Sequence, residues 1–380
     1  MTSKERLTKV LNGEIPDHVP VAPDTSNMIP ARLVGKPFWE IYLYQDPPIW
    51  KAYIDCVKHF GFDSLMDGYA PILFEDLGEL DNTRHEVIIY KDSRRIVTQK
   101  YRMKDGRKEW EPYVTVYYDD NPPTAGLNPH ALGFSMIPDT YEEVEDRKEW
   151  PQGEELLRLV KQEMGDHGLV GVWCGTTKLL NNERDIYDYY DNPGKYRKKS
   201  EELHAYFIRR FDKLMSLDTK PDFICVGGSG TFIHQTPQIF RELALPIIKD
   251  ITRRAKKHGI PTHIHSCGPE RELVRIAAEE TDLTVIDPLE PPPMGDCDLK
   301  EIKRLYGDRL VLKGNLHTTE VMLKGSVRDV VEASKRAIDD AALGGKFILS
   351  TGDQCGRDTP DENIFAMIET AKTYGKYKHG

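Results

Sequence analysis

The stretch PTHIHSCGPERELVRIAAEETDLTVIDPLE, residues 261–290, decides the fold. Its two ends are short apolar runs rich in β-branched residues. Between them, ERELVRIAAEE (270–280) repeats apolar residues at the three-and-four spacing of a helix buried on one face. Strand, crossover helix and second strand form the unit from which parallel sheets are built. Outward from this unit the same rhythm recurs. Short apolar runs lie at Val19–Thr25, Asp63–Tyr69, Leu169–Cys174, Phe223–Gly228, Pro261–Ser266, Leu283–Leu289, Leu310–Asn315 and Lys346–Thr351. Most are followed by a helical pattern such as DLKEIKRLYG (298–307) or NIFAMIETAKTYG (363–375). Near-continuous hydrophobicity in FICVGG, VLKGN and FILST suits strands covered on both faces. Eight such strands predict an α/β protein with a (β/α)8 TIM barrel, one catalytic domain over residues 1–380.

One segment breaks the rhythm. Between the second and third predicted strands, HEVIIYKDSRRIVTQKYRMKDGRKEWEPYVTVYY (85–118) alternates in the manner of strands around a Lys-Asp-Gly turn. It predicts a β-hairpin or meander insertion at about 80–150, flanking or lidding the barrel mouth.

The composition, 39% hydrophobic and 30% charged, is that of an ordinary globular chain, and no apolar run approaches the roughly 20 residues of a membrane helix. The opening MTSKERLTKVLNGEIPDHVP lacks the apolar core of a secretory leader, so a cytoplasmic location is expected, with no membrane partner. A net charge of −10 argues against a nucleic-acid binder, which gathers Lys and Arg to displace phosphate counterions. A small-molecule substrate or a protein partner is expected instead, with a homodimer left open as the assembly. The six cysteines have no framework spacing and read as core, metal-binding or catalytic thiols.

In a barrel, polar residues at the C-terminal strand ends converge on one mouth, where sites are built. The fifth predicted strand places His265 and Cys267 two residues apart, on the same side of an extended segment. The eighth leads into ILSTGDQCGRDTP and brings Cys355 to that rim, and the sixth leads into DPLEPPP with Glu290. Taken alone, a His-x-Cys pair is more often two core residues. A third donor, the Cys355 thiol, at another strand end turns the reading towards a metal. Two thiolates and an imidazole favour Zn(2+) over Mg(2+) or Ca(2+), and leave a replaceable fourth position for catalysis. His265, Cys267, Cys355 and Glu290 are therefore the candidate metal and catalytic residues. Cys56 and Cys225 read as buried small hydrophobes, Cys174 and Cys297 have no evident partner, and His263 reads as a core residue or a support for the ligands. The loop VGGSGTFIHQTP (226–237), with Phe232 and His234, lacks the spacing of a dinucleotide site. Tyr69, Trp173, Phe232 and Met28 are candidate stacking groups for a substrate, and Asp24, Asn27 and Arg32 candidate orienting groups.

HIHSCG, GDRLVLKGNLHTTEVMLKGS and GGKFILSTGDQCGRDTPDENIFAMIE together resemble the uroporphyrinogen decarboxylase superfamily over most of residues 200–375. Its zinc-dependent, cobamide-linked methyltransferase branch carries a His-x-Cys…Cys triad, onto which His265, Cys267 and Cys355 fall. Glu290 lies near the position of an acidic ligand in that branch. The resemblance implies methyl transfer between a small molecule and a corrinoid (cobalamin) carried by a partner protein. True uroporphyrinogen decarboxylases have an arginine-rich N-terminal motif for propionates, and DTSNMIPARLVGKPFWE (24–40) stands in that region here. GGSGTFIHQTPQIFRELALP (227–246) resembles the methoxyaryl O-demethylases more than the coenzyme M methyltransferases. The expected reaction is thus O-demethylation of a methoxylated aromatic. The alternatives are a methylcobamide:thiol methyltransferase and a decarboxylase of the parent type.

Overall fold

The computed structural model describes residues 1–377. Among them, seven parallel strands form one sheet: β1 (Ser64–Met66), β7 (Gly168–Trp173), β8 (Phe223–Gly227), β9 (Thr262–His265), β10 (Val285–Asp287), β11 (Val311–Leu316) and β12 (Phe347–Thr351), paired in that order. Helices connect successive strands from β7 onward and cover the outside, giving a TIM-barrel-like arrangement.

The first expected strand, Val19–Thr25, is not a regular one. Pro20 and Pro23 supply no N–H to a ladder, so only a bridge forms, Val21 pairing in parallel with Leu349. Ala22 N donates to Leu349 O and Leu349 N to Pro20 O, both at 2.8 Å, while Asp63 N donates to Val21 O at 2.8 Å on the other side. This extended segment joins β12 to the chain just before β1, in the place where the first strand was expected.

The insertion is larger than a hairpin. β2 (Arg84–Lys91), β3 (Arg95–Lys104), β4 (Arg107–Tyr118), β5 (Thr124–Leu127) and β6 (Glu142–Glu143) form an antiparallel sheet in the order β5–β4–β3–β2–β6. Asp105 and Gly106 both have positive φ (50° and 75°), the two-residue turn that an Asp-Gly pair favours. Arg357, beyond β12, donates to Asp120 O at 2.5 Å and pairs with its carboxylate at 3.0 Å, tying the insertion to the loop after β12.

Inside the barrel, burial changes character along the strands. Leu65, Phe223, Cys225, Val285, Val311 and Ile348 form an apolar cluster with Leu7, Val10 and Leu11 of the helix Ser3–Leu11, which plugs the N-terminal end. Two residues further along β10 and β11, the same side of each strand turns polar, from Val285 to Asp287 and from Val311 to Lys313. The functional layer rests on this apolar floor.

Candidate metal centre and substrate pocket

Strand ends carry the site. His265 ends β9 and Asp287 ends β10, and the two are opposite one another in the parallel register. Asp287 Oδ1 lies 3.3 Å from His265 Nδ1 and 2.7 Å from His263 Nε2, and its other oxygen contacts Lys313 Nζ. His263 Nδ1 in turn lies 3.0 Å from Asp67 Oδ2, which also accepts from the Cys225 thiol at 3.4 Å. Five charged or chargeable side chains, Asp67, His263, His265, Asp287 and Lys313, thus lie in one chain of contacts, each charge answered by its opposite, the condition under which buried charge is tolerated.

The titration directions follow from this packing. Burial alone would raise the Asp287 carboxyl, but Lys313, His263 and His265 outweigh it and hold its pKa well below the ordinary value. Burial disfavours charge on His265, yet Asp287 and Asp353 hold its pKa well above 6.5. Likewise His263 and Lys313 are raised, against burial, by Asp287.

His265 Nε2 has a different environment. It lies 3.3 Å from Asp353 Oδ1, but the alignment is poor and this buried nitrogen makes no hydrogen bond. Donor atoms of His265, Cys267 and Asp353 all fall within 4.8 Å of one another. An imidazole whose Nδ1 faces a buried carboxylate at 3.3 Å and whose Nε2 is unpartnered, beside a thiol and a second carboxylate, fits a divalent metal: the carboxylate favours the tautomer that leaves Nε2 free to bind. The donor set of N, S and O suits zinc. Asp353 has φ 132°, a backbone region that costs a non-glycine residue on the order of 1–3 kcal/mol and clusters at functional sites.

Two expected ligands stand outside that group. Cys355 is fully buried, its thiol near the Thr351 and Thr359 hydroxyls and pushed up to about 12 by burial, and its N–H donates to Asp24 O at 2.8 Å. Glu290 accepts from Gly268 N at 2.5 Å, bracing the loop that carries Cys267, and burial raises its pKa. Asp67, Cys225 and His263 form a second close group, but its donor atoms already satisfy one another.

Next to His265 opens a cavity of about 280 Å3, lined by Asp24, Asn27, Asp67, Tyr69, Trp173, Asp287, Lys313 and Gln354 among others. Four expected substrate residues line it: Asp24, Asn27, Tyr69 and Trp173. Tyr69 stacks on Tyr53 with ring centroids 3.9 Å apart and donates to Ser26 O at 2.9 Å. Trp173 ends β7, 38% exposed, against Gly228, where a Cβ would come within 2.1 Å of the indole ring. The other four are not among the lining residues. Arg32 pairs with Asp361, Phe232 packs edge-on against Phe240 at 5.6 Å, Met28 opens the helix Met28–Val34, and His234 lies half-buried beyond Phe232.

Asp353 and Asp287 are the residues of the candidate site that sequence reading overlooked, although both lie within the motifs quoted for their neighbours. Asp287 had a signal: it stands two residues after an inward apolar position on its strand. Asp353 had none beyond adjacency.

Residues 216–374 match the family model described as uroporphyrinogen decarboxylase (URO-D). The chain carries a URO-D family domain. His265, Cys267, Asp287, Glu290, Asp353 and Cys355 lie within it, whereas Asp24, Asn27, Asp67, Tyr69 and Trp173 lie before it. Among curated proteins, the methylcobamide:CoM methyltransferase MtbA of Methanosarcina mazei is 27% identical over 165 residues, 43% of this chain and 42% of that protein. MtbA of Methanosarcina acetivorans is 26% identical over 163 residues, with the same coverage. The uroporphyrinogen decarboxylase of Wigglesworthia glossinidia brevipalpis is 23% identical over 133 residues, 35% of this chain and 34% of that one. The chain thus aligns with less than half the length of these relatives. A solved methyltransferase from Methanosarcina mazei superposes with TM-score 0.63 at 15% identity, covering 98% of this chain and 99% of that one, so the two share a fold over nearly their whole lengths.

Proposed function

We propose that this protein is a zinc-dependent methyltransferase that takes a methyl group from a small substrate, a methoxylated aromatic, and passes it to the Co(I) corrinoid of a partner protein. The observation that carries the reading is the unpartnered, buried Nε2 of His265, with Cys267 and Asp353 gathered around it at the barrel mouth. His265 and Cys267 are the core ligands. The loop after β12 completes the set, and of its two donors the Cys355 thiolate matches zinc better than the Asp353 carboxylate. Glu290 braces the Cys267 loop through Gly268 N.

A zinc ion there would supply Lewis acidity to an ether oxygen, so that the methyl–oxygen bond breaks with its electron pair left on oxygen. The chain's own residues do the rest. Asp287 fixes the His265 ring through Nδ1, Lys313 and His263 hold Asp287 ionised, and Tyr69 and Trp173 flank the space where a planar ring fits. The apolar floor below this layer keeps water from the buried charges.

The MtbA relatives favour a second reading, methyl transfer from a methylcobamide to a thiol, using the same ligands. Decarboxylation of a polyanionic porphyrinogen has less support, because the cavity lining includes Lys313 as its one lysine, already neutralised by Asp287, and no arginine. The deciding experiment mixes purified protein with a reduced corrinoid protein and a panel of methoxylated aromatics, methylamines and thiols. Conversion of the Co(I) spectrum to that of methyl-Co(III) with a methoxylated aromatic is the expected result. Demethylation of methyl-Co(III) by a thiol alone would establish the second reading in its place.

A further inference from the structure

Charge in the cavity is answered unevenly. Asp67 is paired with His263, and Asp287 with Lys313 and both histidines, whereas Asp24 has no ion-pair partner among the described residues. One Asp24 oxygen accepts from Ser26 N at 2.8 Å, and the other receives no donor from the protein. Asp24 nevertheless lines the same cavity as His265, Tyr69 and Trp173. A carboxylate so placed offers an acceptor to a ligand and repels a ligand anion.

We propose that Asp24 sets the specificity of this pocket, accepting a hydrogen bond from a hydroxyl on an uncharged aromatic substrate and turning away aromatic carboxylates. The inference rests on the methyl ether reading and deepens it: the substrate class is a methoxyphenol, with its hydroxyl on Asp24 and its ring beside Trp173. An analogue without the hydroxyl leaves the acceptor unfilled in a partly dehydrated site, and hydrogen bonds to charged groups are the ones whose loss costs most. An analogue with a carboxylate brings like charge to Asp24 with no free cation nearby.

The test measures binding of 2-methoxyphenol, methoxybenzene, 2-methoxybenzoate and N,N,N-trimethylanilinium by calorimetry on the zinc-loaded protein, with no corrinoid protein present. In the wild type, 2-methoxyphenol binds roughly 10- to 100-fold tighter than methoxybenzene, and 2-methoxybenzoate binds weakest. In Asp24→Asn, whose amide oxygen still accepts from Ser26 N, that preference falls below about threefold and the benzoate gains. Tightest binding of the benzoate in the wild type overturns the inference, as does tightest binding of the anilinium, which would mean that charge and not a hydroxyl is read. An unchanged preference in Asp24→Asn, or no binding of any aromatic, also overturns it. The two readings fail separately. The expected binding order without methyl transfer sinks the proposed reaction, and methyl transfer without that order sinks the role of Asp24.

Discussion

Asp287→Asn removes the negative charge that three cations share. The side chain is 1% exposed, its oxygens contact Lys313, His263 and His265, and those contacts hold its pKa well below 3.8. Asparagine keeps the shape and one acceptor but leaves Lys313 and His263 buried with one counter-charge fewer. Breaking a buried ion pair in this way costs about 3–5 kcal/mol, reduced to the extent that Lys313 or His263 gives up its proton. The same change loosens the orientation of His265, and loss of a carboxylate behind a metal-bound imidazole typically lowers metal affinity about 10- to 100-fold. Urea unfolding of the zinc-free protein, followed by tryptophan fluorescence, reads the first effect, and competition with a chelator of known affinity reads the second. Lys313→Met is the control: it also unbalances the buried cluster but leaves the His265 contact with Asp287 in place. It is expected to lower stability while retaining zinc affinity within about threefold. Equal zinc affinity in Asp287→Asn and wild type would refute the assignment of Asp287 as the group that orients His265, whatever happens to stability.

Zinc coordination is expected to show two sulfur scatterers at about 2.3 Å by X-ray absorption, falling to one in Cys267→Ser or Cys355→Ser; a single sulfur in the wild type would place Asp353 in the position assigned to Cys355. Gly228→Ala puts a methyl group 2.1 Å from the Trp173 ring, so it is expected to cost about 1–3 kcal/mol or to swing the indole out of the cavity wall. Unchanged stability together with unchanged tryptophan emission would contradict that packing. The buried Arg6 guanidinium pairs with Asp17 and Asp63 at 2.7 and 2.6 Å. Burial works against the Asp17 carboxylate, but Arg6 lowers its pKa from 3.8 to about 2. A lowered carboxylate pKa means stability that is present above about pH 4 and lost as pH falls through about 2. Because Asp17 is one-third exposed the effect is modest, and Arg6→Met is expected to flatten stability over that interval.

How far the sequence could be read depended on what its periodicities encode. Buried parallel strands need continuous apolar runs, and those runs were visible at each of the seven strands of the sheet. The Val19–Thr25 run has the same composition, but Pro20 and Pro23 deny it a ladder, and composition alone does not weigh a missing N–H. At the site, His265 and Cys267 were legible because residues two apart along extended chain, here the last of β9 and the second one after it, share a side. Asp353 was not, since it lies on a loop whose path depends on a φ of 132° and on Arg357 reaching across to the insertion. The substrate wall was half legible. Tyr69 and Trp173 follow or end strands and so face the mouth, whereas Arg32 and Phe232 sit on a helix and a loop whose contacts, with Asp361 and Phe240, come from distant sequence. The division between family and individual follows the same line. The strand ends of the candidate metal centre fall inside the URO-D domain, while Asp24, Asn27, Tyr69 and Trp173 fall before it. Residues 216–374 therefore hold the part of the site that follows the family pattern, and the cavity wall that would choose a substrate comes from the other half of the barrel.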